Sequence, residues 1–211
     1  MKVPLSLAGG IAILALVVLA PGCASKTKRP PVPPEQRAQE VQEGYFYKIA
    51  PGDSVNIFVW GIGELSGNFI VRPDGMLTAP LAEDMPASGK TPSELARDLE
   101  KHYATYVRSP IVTVIVGGFV GLPSQQVRVI GEASKPVAIP FRKHMTLLDL
   151  VIAVGGLTDF AAGNKAVLVR HVDGQQREFS VRLDDLIRKG DISANLSLLP
   201  GDILIIPEAW F

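Results

Sequence analysis

Cysteine is nearly missing from this chain: Cys23 is the only one in 211 residues. One thiol cannot build a disulfide scaffold within a chain, nor a cysteine-rich zinc or iron–sulfur site. Neither sign of charge is in excess, with 21 Lys and Arg against 21 Asp and Glu. That balance argues against a nucleic-acid or polyanion binder, which needs a basic face to gain from phosphate contacts. No nucleic-acid partner is expected. Aromatic residues are 7% of the chain, too few for an obvious sugar-stacking platform. There are 3 histidines, and His102 has no second histidine or carboxylate at metal-ligand spacing. Neither G-x-S-x-G nor H-E-x-x-H occurs. The acidic pairs Glu40/Glu43, Glu83-Asp84 and Asp184-Asp185 each sit where a solvated turn or helix start explains them, so no glycosidase carboxylate pair is marked out. Catalytic residues, cofactor and metal are therefore all expected to be none. Hydrophobic residues reach 47%, which excludes wholesale disorder.

A long hydrophobic run is also lacking. Ala8 to Ala20 carries no polar side chain, but a membrane span needs roughly 20 apolar residues. With Lys2 before it and Pro21-Gly22-Cys23-Ala24 after it, the segment has the layout of a secretory signal. Cys23 directly follows the small residues, where a lipoprotein signal peptidase would cut. The segment resembles a bacterial lipobox, with Leu19 one place further from the cysteine than usual. The resemblance implies a signal peptide over residues 1–22 and lipidation of Cys23. Three acyl chains, at about 0.8 kcal/mol per buried methylene, anchor a protein stably. Ala24 is not the aspartate associated with inner-membrane retention, which favours the outer membrane.

Residues 24–44 contain Pro30, Pro31, Pro33 and Pro34 and no aromatic residue. Such a stretch favours extended polyproline II, so residues 23–44 are expected to be an acylated cysteine and a Pro-rich tether. Order is expected from Tyr45. Ser54–Trp60 alternates as a strand. Gly61 to Gly67 reads GxGxxxG and leads into a second strand (Asn68–Arg72), not a helix, so it lacks a phosphate cradle and predicts a hairpin or bulge. Pro73-Asp74-Gly75 is a turn, and Met76–Leu81 a third strand. Thr91-Pro92-Ser93-Glu94 is a helix start with a capping box, and Leu95, Leu99, His102 or Tyr103, and Tyr106 continue one face. Ile111–Val116 is too β-branched to be anything but a strand. The first module thus has the order β-β-β-α-β.

Gly117 to Pro123 punctuates the chain. Gln126–Ile130 is then a strand. Thr146 with Asp149 opens a helix that Gly155-Gly156 closes, and its apolar residues cover nearly the whole circumference, predicting burial. Asp173-Gly174 marks a hairpin between Ala166–Arg170 and Glu178–Val181, with a loop longer than two residues. Residues 183–189 form a short helix, and Ile203–Ile206 the last strand. This is the pattern of a small β-grasp domain. Pro51-Gly52-Asp53 and Pro200-Gly201-Asp202 each precede a strand and read as type II turns whose aspartate bonds the turn backbone; neither Asp53 nor Asp202 is assigned a catalytic role.

The motifs from Tyr47-Lys48-Ile49-Ala50-Pro51-Gly52-Asp53 through Val71-Arg72-Pro73-Asp74-Gly75 to Thr91-Pro92-Ser93-Glu94-Leu95 resemble the polysaccharide biosynthesis/export domain. Val129-Ile130-Gly131-Glu132-Ala133-Ser134-Lys135-Pro136, with Thr146-Leu147-Leu148-Asp149 and Gly155-Gly156-Leu157-Thr158, is similar to the SLBB β-grasp domain that follows it in that family. The fold class implied is α+β: a lipid-anchored tether, a small mixed β-sheet/helix export domain (45–117), a linker (118–125) and an SLBB-like β-grasp domain (126–211). The resemblance implies a periplasmic, outer-membrane-anchored lipoprotein of a Gram-negative bacterium. It would form a homo-oligomeric ring conduit for exopolysaccharide or capsule cargo and work with an inner-membrane co-polymerase and tyrosine kinase. Long family members carry a C-terminal pore helix. This sequence ends nine residues after Asp202, and Pro207-Glu208-Ala209-Trp210-Phe211 resembles the short members found beside exosortase (PEP-CTERM) clusters. A separate outer-membrane β-barrel porin is therefore expected, with Trp210 and Phe211 at the membrane, a partner or a neighbouring subunit. The alternative is a monomeric glycan- or small-ligand-binding envelope lipoprotein.

Overall fold

The computed structural model describes residues 30–31, 44–172 and 174–210. Cys23, Glu40, Glu43, Asp173, Phe211, the signal segment and most of the tether lie outside them. Two hydrophobic clusters organise the described residues, one on each side of the Gly/Pro punctuation. The class is α+β, as the sequence implies, with three α-helices and ten strands among the described residues.

The first cluster is built on a three-stranded antiparallel sheet of order β2-β1-β5, where β1 is Ser54–Val59, β2 Gly67–Ile70 and β5 Val112–Gly117. Alternation sends Val55, Ile57 and Val59 inward with Val112 and Val114, and turns Phe58, Trp60, Ile111 and Ile115 to the outside. The expected hairpin at Gly61–Gly67 is present, tightened by a 3₁₀ turn at Gly63–Leu65. A second hairpin pairs β3 (Met76–Ala79) with β4 (Ala82–Pro86). Strand β4 is absent from the sequence reading, so the order is β-β-β-β-α-β; Ala-Glu-Asp-Met-Pro has no β-branched residue to signal it. Helix α1 (Pro92–Tyr103) begins on the expected capping box, with Thr91 and Glu94 bonding each other's backbone N–H. It buries Leu95, Ala96, Leu99 and Tyr103. It stops before Tyr106, which lies beyond its last turn and is exposed, contrary to the expected face. His102 on that face bonds the Leu81 carbonyl at 2.7 Å.

The second cluster fills the concave side of a five-stranded mixed sheet of order β7-β6-β10-β8-β9. Its strands are β6 (Gln126–Gly131), β7 (Val137–Pro140), β8 (Ala166–Val172), β9 (Gln175–Val181) and β10 (Ile203–Ile206). Strand β10 lies parallel to β6 and antiparallel to β8, the central pairing of a β-grasp arrangement. At the end of β6, Gly131 has φ +90°, and a Cβ there would meet the Ile206 carbonyl oxygen at 2.0 Å, so only glycine fits. The edge strand β7 escapes the sequence reading because it is four residues long and bounded by Pro136 and Pro140.

Helix α2 (Leu147–Ala153) has the Thr146/Asp149 capping box. It is not buried all round as expected: Ile152 is 68% exposed, because the sheet covers one face only. The pairing of Val172 with Gln175 leaves two residues in the β8–β9 loop, shorter than anticipated. Helix α3 spans Leu183–Arg188. Of the tether, Pro30 and Pro31 lie along the β9 edge, where Ser180 N–H donates to the Pro30 carbonyl at 3.1 Å.

Candidate functional site: the joint between the two sheets

Both Pro-Gly-Asp segments form the turns their residues dictate. Asp53 N–H donates to Ala50 C=O at 3.1 Å and Asp202 N–H to Leu199 C=O at 3.2 Å, with Gly52 and Gly201 at φ +89° and +85°. Each aspartate side chain then caps its own turn, accepting from Ala50 N–H (2.9 Å) or Leu199 N–H (2.8 Å). Both carboxylates are fully buried. Beyond that they diverge.

Asp53 takes the Tyr47 hydroxyl on Oδ2 at 2.6 Å and the Val120 N–H on Oδ1 at 2.7 Å. The Tyr47 oxygen in turn accepts from Gly121 N–H at 3.1 Å. Burial, and then the hydrogen bond to the Asp53 carboxylate and its charge, push the Tyr47 phenol well above its ordinary range, so it stays a donor. Four backbone and side-chain groups thus tie the first sheet to residues 120–121. Gln126 Nε2 closes on the Val120 and Gly121 carbonyls, both at 3.2 Å, and Lys48 N–H donates to Gln125 Oε1 at 3.3 Å. The Gly/Pro punctuation is a hydrogen-bonded joint.

Asp202 instead meets Arg170 of β8: Nε to Oδ1 at 2.9 Å and Nη2 to Oδ2 at 2.7 Å, both side chains 1% exposed. Nη2 also donates to the Ser197 carbonyl at 3.0 Å. Burial drives the Asp202 carboxyl above its ordinary value, and the Arg170 guanidinium draws it part of the way back. Such a pair spans two strands and holds the final turn against the sheet.

Beside the joint lies a groove of about 650 Å³ walled by Tyr45, Tyr47, Phe119, Ile139, Pro140 and Phe141, with Arg142 and Lys143 at its rim. Tyr45 packs against the second hydrophobic cluster although it precedes the first sheet. Its ring meets Phe141 edge-on at 5.0 Å and its hydroxyl donates to the Phe141 carbonyl at 3.2 Å. Tyr47 and Phe119 make the same edge contact at 5.0 Å. Composition gives no hint of this groove, since its aromatic residues come from distant parts of the chain and only the joint collects them.

The residues weighed from sequence are not gathered into one site. Asp53 and Asp202 serve separate turns. Asp84 pairs with Arg72 at 2.5 Å. Asp185 engages Arg182, Lys189 and Asn164, and the Lys189 and Asn164 hydrogen bonds lead in lowering its carboxyl to about 2. Trp210 is 88% exposed. Among the described residues no group of three or more metal-binding side chains converges, and no helix is long and apolar enough to cross a membrane.

Fold and joint together define a two-domain α+β protein, an export-type sheet and helix followed by a β-grasp, whose buried Asp53, Arg170 and Asp202 hold its parts in place. Residues 41–117 match the polysaccharide biosynthesis/export protein family and residues 125–206 the SLBB domain. The two matches, in that order, cover most of the chain and support a polysaccharide export protein. It is similar to the exopolysaccharide production protein ExoF of Rhizobium meliloti (strain 1021), 27% identical over 194 residues, which covers 82% of this chain and 43% of the relative. It is also similar to the EPS I polysaccharide export outer membrane protein EpsA of Ralstonia nicotianae (strain ATCC BAA-1114 / GMI1000), 26% identical over 187 residues, 77% of this chain and 47% of the relative. The chain thus spans less than half the length of either. The matched family is one of export proteins, not of enzymes.

Proposed function

We propose that this protein is a periplasmic subunit of an exopolysaccharide or capsule export channel, anchored in the outer membrane through lipidated Cys23. The observation that carries the reading is the succession of an export domain and an SLBB domain along most of the chain. Supporting it, the buried acidic groups are consumed by turns and ion pairs, which leaves nothing resembling a hydrolytic carboxylate pair among the described residues. The subunits form a homo-oligomeric ring around the polymer. An inner-membrane co-polymerase and tyrosine kinase deliver the chain, and a separate β-barrel porin carries it across the outer membrane. In this reading the parts are the signal peptide 1–22, the acylated tether 23–44, the export domain 45–117, the linker 118–125 and the β-grasp domain 126–211. The protein is not an enzyme and uses no cofactor.

The ring is tested by native mass measurement on the detergent-solubilised full chain. A defined closed oligomer is expected; a strict monomer contradicts the ring and favours the glycan-binding lipoprotein. For the anchor, Cys23→Ser should abolish incorporation of labelled palmitate. Labelling that persists in that variant refutes the lipid assignment.

A further inference from the structure

We propose that the outer face of the β2-β1-β5 sheet, led by Trp60 at its β1 end, seats in the interdomain groove of a second copy of this chain. The inference rests on the ring reading above and names its contact.

The face carries large exposed apolar residues beside the polar Asn56, Asn68 and Thr113. Trp60 is 71% exposed, Ile111 60%, Ile115 58% and Phe58 45%. Phe58 lies on the outer side of β1 and Trp60 just beyond its end, their rings 6.2 Å apart, and Thr113 faces Phe58 across the sheet. Asn56 faces Ile115, and Trp60 N–H bonds the Ile111 carbonyl. Clusters of exposed apolar residues mark interaction surfaces, and tryptophan is among the residue types that dominate binding energy.

The groove is the matching half. Its walls are apolar, and the tyrosine hydroxyls within it are already engaged, Tyr45 with the Phe141 carbonyl and Tyr47 with Asp53 and Gly121. A sugar needs several placed polar partners for its hydroxyls, so this lining suits an aromatic anchor better. Charge agrees with that occupant. Glu64 stands exposed in the tight connection four residues after Trp60, and Arg142 and Lys143 stand exposed at the groove's rim. Opposed charges at the rim fix orientation and speed encounter. Because knob and groove are different surfaces of one chain, the contact is head-to-tail, the geometry that gives a ring where its rotation closes.

The test places the photo-crosslinker benzoylphenylalanine at position 60 of the full chain. Irradiation should give a covalent dimer whose linked peptide contains Tyr45–Tyr47, Phe119 or Ile139–Lys143. Links to another part of the chain, links to a different protein, or no link overturn the proposal. Trp60 is exposed, so Trp60→Glu should leave the fold intact and lower the assembled fraction roughly tenfold or more. Glu64→Lys should weaken assembly, and adding Arg142→Glu and Lys143→Glu to it should restore assembly; failure of that rescue also counts against the contact. A wild-type chain that is monomeric by native mass defeats the ring reading and this inference together. An oligomer crosslinked elsewhere defeats this inference alone.

Discussion

The two Pro-Gly-Asp turns share a sequence, a backbone hydrogen bond and a buried carboxylate, yet they are completed by opposite chemistry. Asp53 is satisfied by neutral donors, a phenol and backbone N–H groups, Tyr47 and Ala50 before the joint and Val120 within it. Asp202 is satisfied by a guanidinium inside one sheet. The first arrangement ties the first domain to the linker and the second concentrates its hydrogen bonds within the β-grasp domain. A turn motif therefore specifies the local bend, while the role of its acid is set by what the fold brings alongside.

The largest effect should come from the ionic turn. Asp202→Asn strands Arg170 in the core, and breaking a buried pair from one side costs about 3–5 kcal/mol. Because arginine cannot shed its proton, that loss should stay constant across neutral pH, above the range in which Asp202 itself titrates, and should not shrink on acidification in a denaturant titration. Arg170→Met strands the carboxylate instead, whose pKa burial already raises. A folded-state pKa above the unfolded one means the folded form binds protons more readily, so the destabilisation should be full at neutral pH and shrink as pH falls through that pKa. Equal pH profiles for the two variants would contradict the ion-pair account.

The neutral turn should respond less, and at the joint. Tyr47→Phe removes a donor to Asp53 and the acceptor of Gly121 N–H, a loss of about 1–2 kcal/mol. Asp53→Ala should cost somewhat more, because it leaves the Ala50 and Val120 N–H groups without their partner. Both should speed proteolysis at residues 117–122 while leaving the β-grasp domain resistant. Unchanged cleavage there would mean that the joint does not depend on Asp53.

How far these contrasts could be read beforehand follows from the range of each interaction. The capping boxes Thr91/Glu94 and Thr146/Asp149 and the strand Ile203–Ile206 are local, and the residues spell them out. Strands β4 and β7 are held by their neighbours in the sheet, and the weak β-propensity of β4 and the shortness of β7 between two prolines conceal them. The apolar circumference of α2 predicts burial, but Ile152 faces outward. The groove is the extreme case. Tyr45 and Phe141 touch only because the chain returns past the joint, a contact that no spacing rule encodes. The two aspartates were legible as turn residues; their partners Tyr47, Val120 and Arg170 were not.

The smallest expected effect is a surface counterpart to both turns. Asp185, held low at about 2 chiefly by Lys189 and Asn164, should contribute stability above the ordinary carboxylate value near 3.8 and lose it as pH falls toward 2. Asp185→Asn should lower stability slightly at neutral pH and flatten that part of the acid limb, and a large loss at neutral pH would assign it a bigger role than a solvated pair has.

The central claim is export of a polysaccharide, and deletion in the living cell tests it most directly. Surface polysaccharide should disappear while the cytoplasmic sugar precursors persist. Normal surface polysaccharide in the deletion strain would contradict the account.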